Sequence, residues 1–380
     1  MLGLYVHVPF CAAICNYCNF NRGLFDAGLK DRYVTAVVDE IGLRGTGAPA
    51  DTLFFGGGTP SLLAPSEIAA IITACRRAFD LSPEAEITLE ANPEGVTRET
   101  LSGFREAGVN RLSFGVQSFR DQELVRLSRL HSAARAIAAV EEARAAGFDN
   151  LSLDLMMWLP EQTVAAWLES VDALVAVGPE HASLYMLEIY PNAPLRDAMA
   201  RGQWSVAPDD DVAEMYLQSM ARLDAAGYEQ YEISNVAKPG RQSQHNLKYW
   251  ADGEWFGFGP GAHSTLDGVR TRNVSATVDY VKAVAPGGAL VAETRTMAAR
   301  ERMEDALFTG LRLTGGLSVE RVRQRYGVDI WAEFGEELET FRESGWLIYH
   351  DGSLRLTRAG MLLAHEIMSV FVSPAAGPSA

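Results

Sequence analysis

The chain has 380 residues, 48% of them hydrophobic and 22% charged, enough for a sizeable core and, by length, for roughly two domains. Its 49 acidic against 33 basic residues give a net charge of −16, which disfavours binding to a nucleic-acid backbone and leaves no polybasic patch for a membrane surface. No apolar run approaches the ~18 to 20 residues that span a bilayer, and only four cysteines occur, three of them in one loop, which excludes a disulfide framework and fits a reducing compartment.

The opening stretch YVHVPFCAAICNYCNF starts a strand without a basic-then-apolar leader, so a cytoplasmic location is expected. Cys11, Cys15 and Cys18 follow that strand at C-x3-C-x2-C spacing, which gathers three soft thiolates in one tight loop. Zinc asks for four ligands, usually as two separated pairs. A four-iron cubane held by three thiolates keeps one iron open for another ligand, and this is the better match.

Up to about residue 190 short apolar runs alternate with helical patterns. Strands are expected at Leu4–Val8, Thr52–Phe55, Ile87–Ala91, Arg111–Val116, Leu151–Leu155 and Ala182–Leu187. Helices are expected between them, at Arg32–Leu43, Ser66–Phe79, Arg98–Ala107, Ala133–Ala146 and Val164–Val177. Repeated β-then-α units with right-handed crossovers predict an α/β fold, an open (β/α)6 partial barrel two units short of a closed one. The cysteine loop, the run Gly56-Gly57-Gly58-Thr59-Pro60, Glu90, Gln117, Asp154 and Glu188 all fall at or just past strand carboxyl ends, the face where barrel chemistry converges.

Residues 212–225 read as another amphipathic helix, and together they complete a first unit over 1–227. Residues 228–285, rich in aromatics, Gly and His, are expected to extend the sheet and to close or cap the barrel mouth. Pro286-Gly287-Gly288 marks a linker. Beyond it, 286–372 shows three helical segments, then strands Leu347–Tyr349 and Leu354–Leu356 about the turn His350-Asp351-Gly352, the order of a winged helix. More acidic than basic residues there argue against DNA, so it reads as a small α+β packing or interaction module. The tail 373–380 is expected to be disordered, and Cys75, in an apolar helix, to be a core residue.

YVHVPFCAAICNYC followed by FFGGGTPSLL resembles the radical S-adenosylmethionine (SAM) superfamily. With LEANPE, RLSFGVQSF, Arg129 and His131 downstream, and LDLMMWLPEQT, nearly the whole chain resembles the oxygen-independent coproporphyrinogen III oxidase group. The resemblance implies a [4Fe–4S] cluster on Cys11, Cys15 and Cys18, with Tyr5 and Tyr17 flanking it. Gly57, Gly58 and Thr59 would hold the methionine end of SAM, and Glu90, Gln117, Arg129 and Asp154 its ribose, carboxylate or neighbouring groups. Two departures from the oxidase pattern are read against coproporphyrinogen turnover: Phe20 stands where they carry a further cysteine, and the strand at Leu4 is expected to begin without their longer amino-terminal extension.

His245-Asn246-Leu247-Lys248-Tyr249-Trp250 matches the H-N-x-x-Y-W pattern of the HemW-type haem chaperones. That resemblance implies haem as cargo and an apo-cytochrome or other haem-receiving respiratory protein as partner. His245 is then a candidate iron ligand with Tyr249 and Trp250 flanking the macrocycle, and His263 a second candidate; a histidine bonded within an aromatic cap is the alternative for His245. A radical-SAM enzyme acting on a tetrapyrrole is the alternative for the whole chain. Peripheral membrane contact, and a monomer or a homodimer, are both compatible with the sequence. LMMWLPEQT departs from the family's L-I-Y-G-L-P-x-Q-T at Met157 and Trp158, and Glu188 replaces a small or hydroxylic residue, so a narrower or more acidic mouth is expected.

Overall fold

A computed structural model describes residues 1–191, 193–285 and 287–372. Pro286 of the expected linker and the tail 373–380 lie outside the described residues. Six strands, β1 (Leu2–Val8), β2 (Pro49–Gly57), β3 (Asp80–Ala91), β4 (Arg111–Gln117), β5 (Leu151–Met157) and β6 (His181–Met186), lie side by side in chain order and pair in parallel. The strand period of two divides their side chains. In β1, Leu4, Val6 and Val8 are fully buried on the outer face, while Tyr5 and His7 are hydrogen-bonded to each other on the inner one.

The intervening helices start and stop where local chemistry supports them. Thr97, Ser132 and Thr163 cap Arg98–Ala107, Ala133–Ala145 and Val164–Val177 through their hydroxyls, each accepting from the amide three residues on. Glu67 reaches back to the Ala64 amide at 2.7 Å at the start of Pro65–Ala78, and Gly178 ends Val164–Val177 at φ 70°, a left-handed residue that glycine adopts without strain. Cys75 is fully buried in Pro65–Ala78, and burial pushes its thiol up to about 12.

The helix of the H-N-x-x-Y-W motif does not cap the mouth, but the segment 228–285 extends the sheet as expected, at both edges. Asn235–Ala237 runs antiparallel beside β6 with Glu229–Gln230 outside it. Trp255–Phe258 runs parallel beside β1, followed by the antiparallel strands His263–Leu266 and Val269–Asn273; Val291–Thr296, from beyond the expected linker, adds the outermost strand, for twelve in this sheet among the described residues. The reason is topological. Ala237 pairs with His181 at the amino end of β6, and Trp255 pairs with Gly3 at the amino end of β1. The chain between them therefore crosses the floor of the barrel, and helix Gln244–Trp250 lies there as a plug.

The extension is tied to the barrel by Glu40, which is fully buried in helix Ala27–Arg44. Its carboxylate accepts from the Gly259 amide at 2.8 Å, Asn273 Nδ2 at 2.8 Å, Tyr280 Oη at 2.6 Å and Arg44 Nη1 at 2.8 Å. After it, helices Ala299–Gly310, Val319–Tyr326 and Ile330–Glu343 pack with a three-stranded sheet of Leu317–Ser318, Leu347–His350 and Ser353–Leu356. The last two form a hairpin over Asp351 and Gly352, both at positive φ. Among the described residues no helix is long and apolar enough to cross a membrane.

Replacing Glu40 by Ala removes the acceptor of the buried Gly259 amide and Tyr280 hydroxyl and weakens the bonding of Asn273 and Arg44, so urea unfolding is expected to show a loss of ~3–5 kcal/mol. A loss under ~1 kcal/mol would show that the extension does not depend on this carboxylate.

A candidate cluster and cofactor site at the barrel mouth

The cysteine loop is strapped to the loop after β2 by backbone hydrogen bonds. The Gly58 amide donates to Val8 O and the Thr59 amide to Phe10 O, both at 2.7 Å. On its other side, the Gly23 amide donates to Pro9 O at 2.7 Å and the Phe25 amide to Cys11 O at 2.9 Å. Gly58 is required by this approach, since a Cβ there would lie 2.6 Å from Phe10 O, and Gly57 takes φ 114°.

Cys11, Cys15 and Cys18 face one cavity of about 660 Å³, which Tyr17, Gly57, Gly58, Thr59, Glu90, Gln117, Arg129 and Asp154 also line. Two donors address the thiols: Thr59 Oγ1 lies 3.7 Å from Cys11 Sγ, and Arg129 Nη1 lies 3.4 Å from Cys15 Sγ. Arg129 is itself positioned by Asn92 Oδ1 at 2.8 Å and Gly115 O at 2.7 Å, and Asn92 also donates to Thr59 Oγ1 at 3.1 Å. Asn92 thus joins both halves of the site; the LEANPE stretch contains it, but spacing alone does not single it out.

Among the described residues no three His, Cys, Asp or Glu side chains approach as the ligands of a single ion would. The donor set is three half-buried thiols on one loop, beside a glycine cradle and an arginine. It suits a thiolate-bound cluster, whose added negative charge the Arg129 guanidinium would offset.

Burial dominates the acids of the site. It pushes Glu90 up to about 8, although the Gly57 amide donates to its Oε2 at 3.2 Å, and Asp154 up to about 6, although Ser113 Oγ lies 3.4 Å from its Oδ1. Burial likewise raises Cys11 and Tyr17. Tyr5 departs from the expectation that it flanks the cluster. Its ring stacks on Phe54 and His245 and borders a lower cavity, because an inward residue in mid-strand sits one layer beneath the carboxyl ends.

The residues read as haem candidates separate into three places. His245 is 1% exposed, with Nδ1 at 2.8 Å from Thr52 Oγ1 and Nε2 at 2.9 Å from Tyr249 Oη. Burial, with the charges of Lys248 and Arg111, lowers it to about 3, so it is a neutral ring with both nitrogens engaged. This geometry corrects the reading of His245 as an open iron ligand and favours the bonded aromatic cap. Tyr249 sits over it, as four-residue helical spacing requires, and Trp250 turns away beneath the Arg312 guanidinium, 4.3 Å from its ring. His263 is exposed at the start of its strand.

The departures at the mouth also have a physical form. Trp158 takes φ 65°, a conformation suited to the glycine of the family pattern, and its Nε1 donates to Ala207 O at 2.8 Å. Met157 is buried, and Glu188 lines the mouth, accepting from Tyr190 Oη.

Comparison with known proteins places the chain in a family. Residues 5–174 match the radical SAM superfamily and residues 297–363 the HemN C-terminal domain. The protein named heme chaperone HemW in Bacillus subtilis is 37% identical over 376 residues, covering 98% of this chain and 99% of that one. The chain belongs to this family, within the radical SAM superfamily. A similar relative in Bos taurus, a mitochondrial radical S-adenosyl methionine domain-containing protein, is 36% identical and covers 97% of this chain and 87% of its own. The solved coproporphyrinogen III oxidase of Escherichia coli shares the fold, with a TM-score of 0.85 and 22% identity over 97% of this chain and 89% of that one.

Folding raises the Glu90 carboxyl from its ordinary 4.5 to about 8. The folded state is therefore destabilised relative to the unfolded one as pH rises through that interval. Glu90→Gln is expected to be more stable than the parent at pH 9 by ~2–4 kcal/mol, and the gap to close near pH 4, as urea unfolding of the cluster-free protein reads it. Equal stability at pH 9 would contradict the burial of an ionisable carboxyl there.

Proposed function

We propose that this protein is a haem chaperone that carries a [4Fe–4S] cluster on Cys11, Cys15 and Cys18, binds SAM beside it, and passes haem to a respiratory apo-cytochrome or similar recipient. The observation that carries the reading is the full-length kinship with proteins named heme chaperone, joined to the three-thiol cavity. When bound, the cluster would offer its open iron to SAM's amino and carboxylate groups and supply an electron to the sulfonium.

The chain's own residues prepare that place. The backbone of Gly57 and Gly58 leaves room for close approach, and Thr59 presents its hydroxyl towards Cys11. Arg129 contributes a positive charge to the thiolates and to a carboxylate, while Gln117, Glu90 and Asp154 offer hydrogen-bonding groups for a ribose. Glu90 holds its proton at neutral pH and is a donor there.

The mouth also presents apolar side chains to solvent where an oxidase would have a further cysteine. Phe20 is 68% exposed, and Ile14, Met186 and Tyr190 are exposed around the same cavity. An apolar rim of this kind suits the faces of a macrocycle. Asn21 donates to Pro260 O at 2.9 Å and to Ser275 O at 3.0 Å, which joins the Phe20 edge to the loop leading into His263. We assign His263, the solvent-exposed imidazole among the candidates, to the cargo iron.

Titration of haem into the anaerobically reconstituted protein tests this. One haem per chain is expected to bind, His263→Ala to weaken binding about tenfold or more, and coproporphyrinogen III to remain unoxidised under reducing conditions with SAM. Efficient oxidation of the porphyrinogen would sustain the enzyme reading instead, and haem binding unchanged by His263→Ala would remove the ligand assignment.

A further inference from the structure

Below the mouth the barrel encloses a second cavity of about 210 Å³, roofed by Glu90 and Asp154 and floored by His245 and Asn246. Arg111, the first residue of β4, projects into it and is 1% exposed. Among the described residues its guanidinium makes no hydrogen bond or ion pair, and its Nε is a buried donor without a partner. Thr88, in register with Arg111 on the neighbouring strand, is also fully buried, and its Oγ1 lacks a partner too.

A buried guanidinium left this way is costly unless something hydrogen-bonds its fork. The protein's own acids border the same cavity but make no hydrogen bond or ion pair with the guanidinium. Asp154 turns to Ser113, and Glu90 receives the Gly57 amide. Ser183 and Asn246 line the same cavity and can donate to an anion below the Glu90 and Asp154 carboxyls, and Thr88 is the register partner of Arg111 on the neighbouring strand. We infer that this lower cavity is a binding site for a carboxylate group, held on the fork of Arg111 with Thr88 beside it. A planar two-oxygen anion matches the paired N–H groups of a guanidinium.

The volume admits a small carboxylate or the end of an acidic side arm, and excludes a whole macrocycle. Glu90, Ser113, Asp154 and Tyr185 border both cavities, so a carboxylate arm of a ligand lodged at the mouth has a route down, as does a free small acid. The chemistry is the same for both sources, and the inference does not depend on the haem reading.

Fluorine NMR of trifluoroacetate with the full cluster-free chain tests the site. A bound population that acetate displaces is expected, weakened about tenfold or more in Arg111→Lys, which keeps the charge but loses the fork. Thr88→Val, which leaves every charge in place, is expected to weaken it by a smaller factor, and circular dichroism verifies that both variants fold. A second arm compares haem with haem dimethyl ester. A preference for the free acid that Arg111→Lys abolishes assigns the site to a ligand's arm, whereas equal binding of the two with displaceable trifluoroacetate assigns it to a free acid. No displaceable trifluoroacetate and no ester discrimination, or binding indifferent to Arg111→Lys, would overturn the inference.

Discussion

The hydrogen bonds from Gly58 and Thr59 to Val8 and Phe10 set the plan of the molecule's functional end. They fasten the cysteine loop to the loop of the neighbouring strand, at a separation that only a residue without a side chain permits at position 58. Once those two loops are joined, the thiols, Thr59 and Arg129 face the same space, and the carboxyl ends of β3 and β4 bring Glu90 and Gln117 around it, with Asp154 below them in the middle of β5. A parallel sheet supplies such convergence because every strand presents its end on one face.

The barrel interior is polar along its length, which is unusual enough to need a physical account. Glu90, Asp154 and Arg111 are all buried, and desolvation raises both acids while Arg111 partly restrains them. The interior thus holds a cation beneath two weakened acids, closed below by an uncharged His245. That arrangement lets the mouth accept a charged cofactor without a compact cluster of like charges under it.

Much of this was legible in the sequence. The six strands, the helices between them and the gathering of Cys11–Cys18, the glycine run, Glu90, Gln117 and Asp154 at one face follow from apolar runs and glycine placement, while Arg129 is reached only through the family resemblance. The position of helix Gln244–Trp250 was not legible, since motif spacing shows which residues share a helix face but not which end of a barrel the helix meets. Tyr5 was assigned one layer too high for a similar reason: alternation fixes its face, not its depth. Nothing in the sequence singles out Arg111 from other strand-initiating residues; the pairing of β4 with its neighbours turns it inward, where its Nε has no partner.

The central claim is that the strapped cysteine and glycine loops form a single site for a cluster and SAM. Electron paramagnetic resonance of the reduced, anaerobically reconstituted protein, recorded with and without SAM, tests it most directly. The account predicts roughly four irons per chain and a cluster signal whose shape shifts when SAM is added. A signal indifferent to SAM, or a chain that binds one zinc ion and no iron, would contradict it.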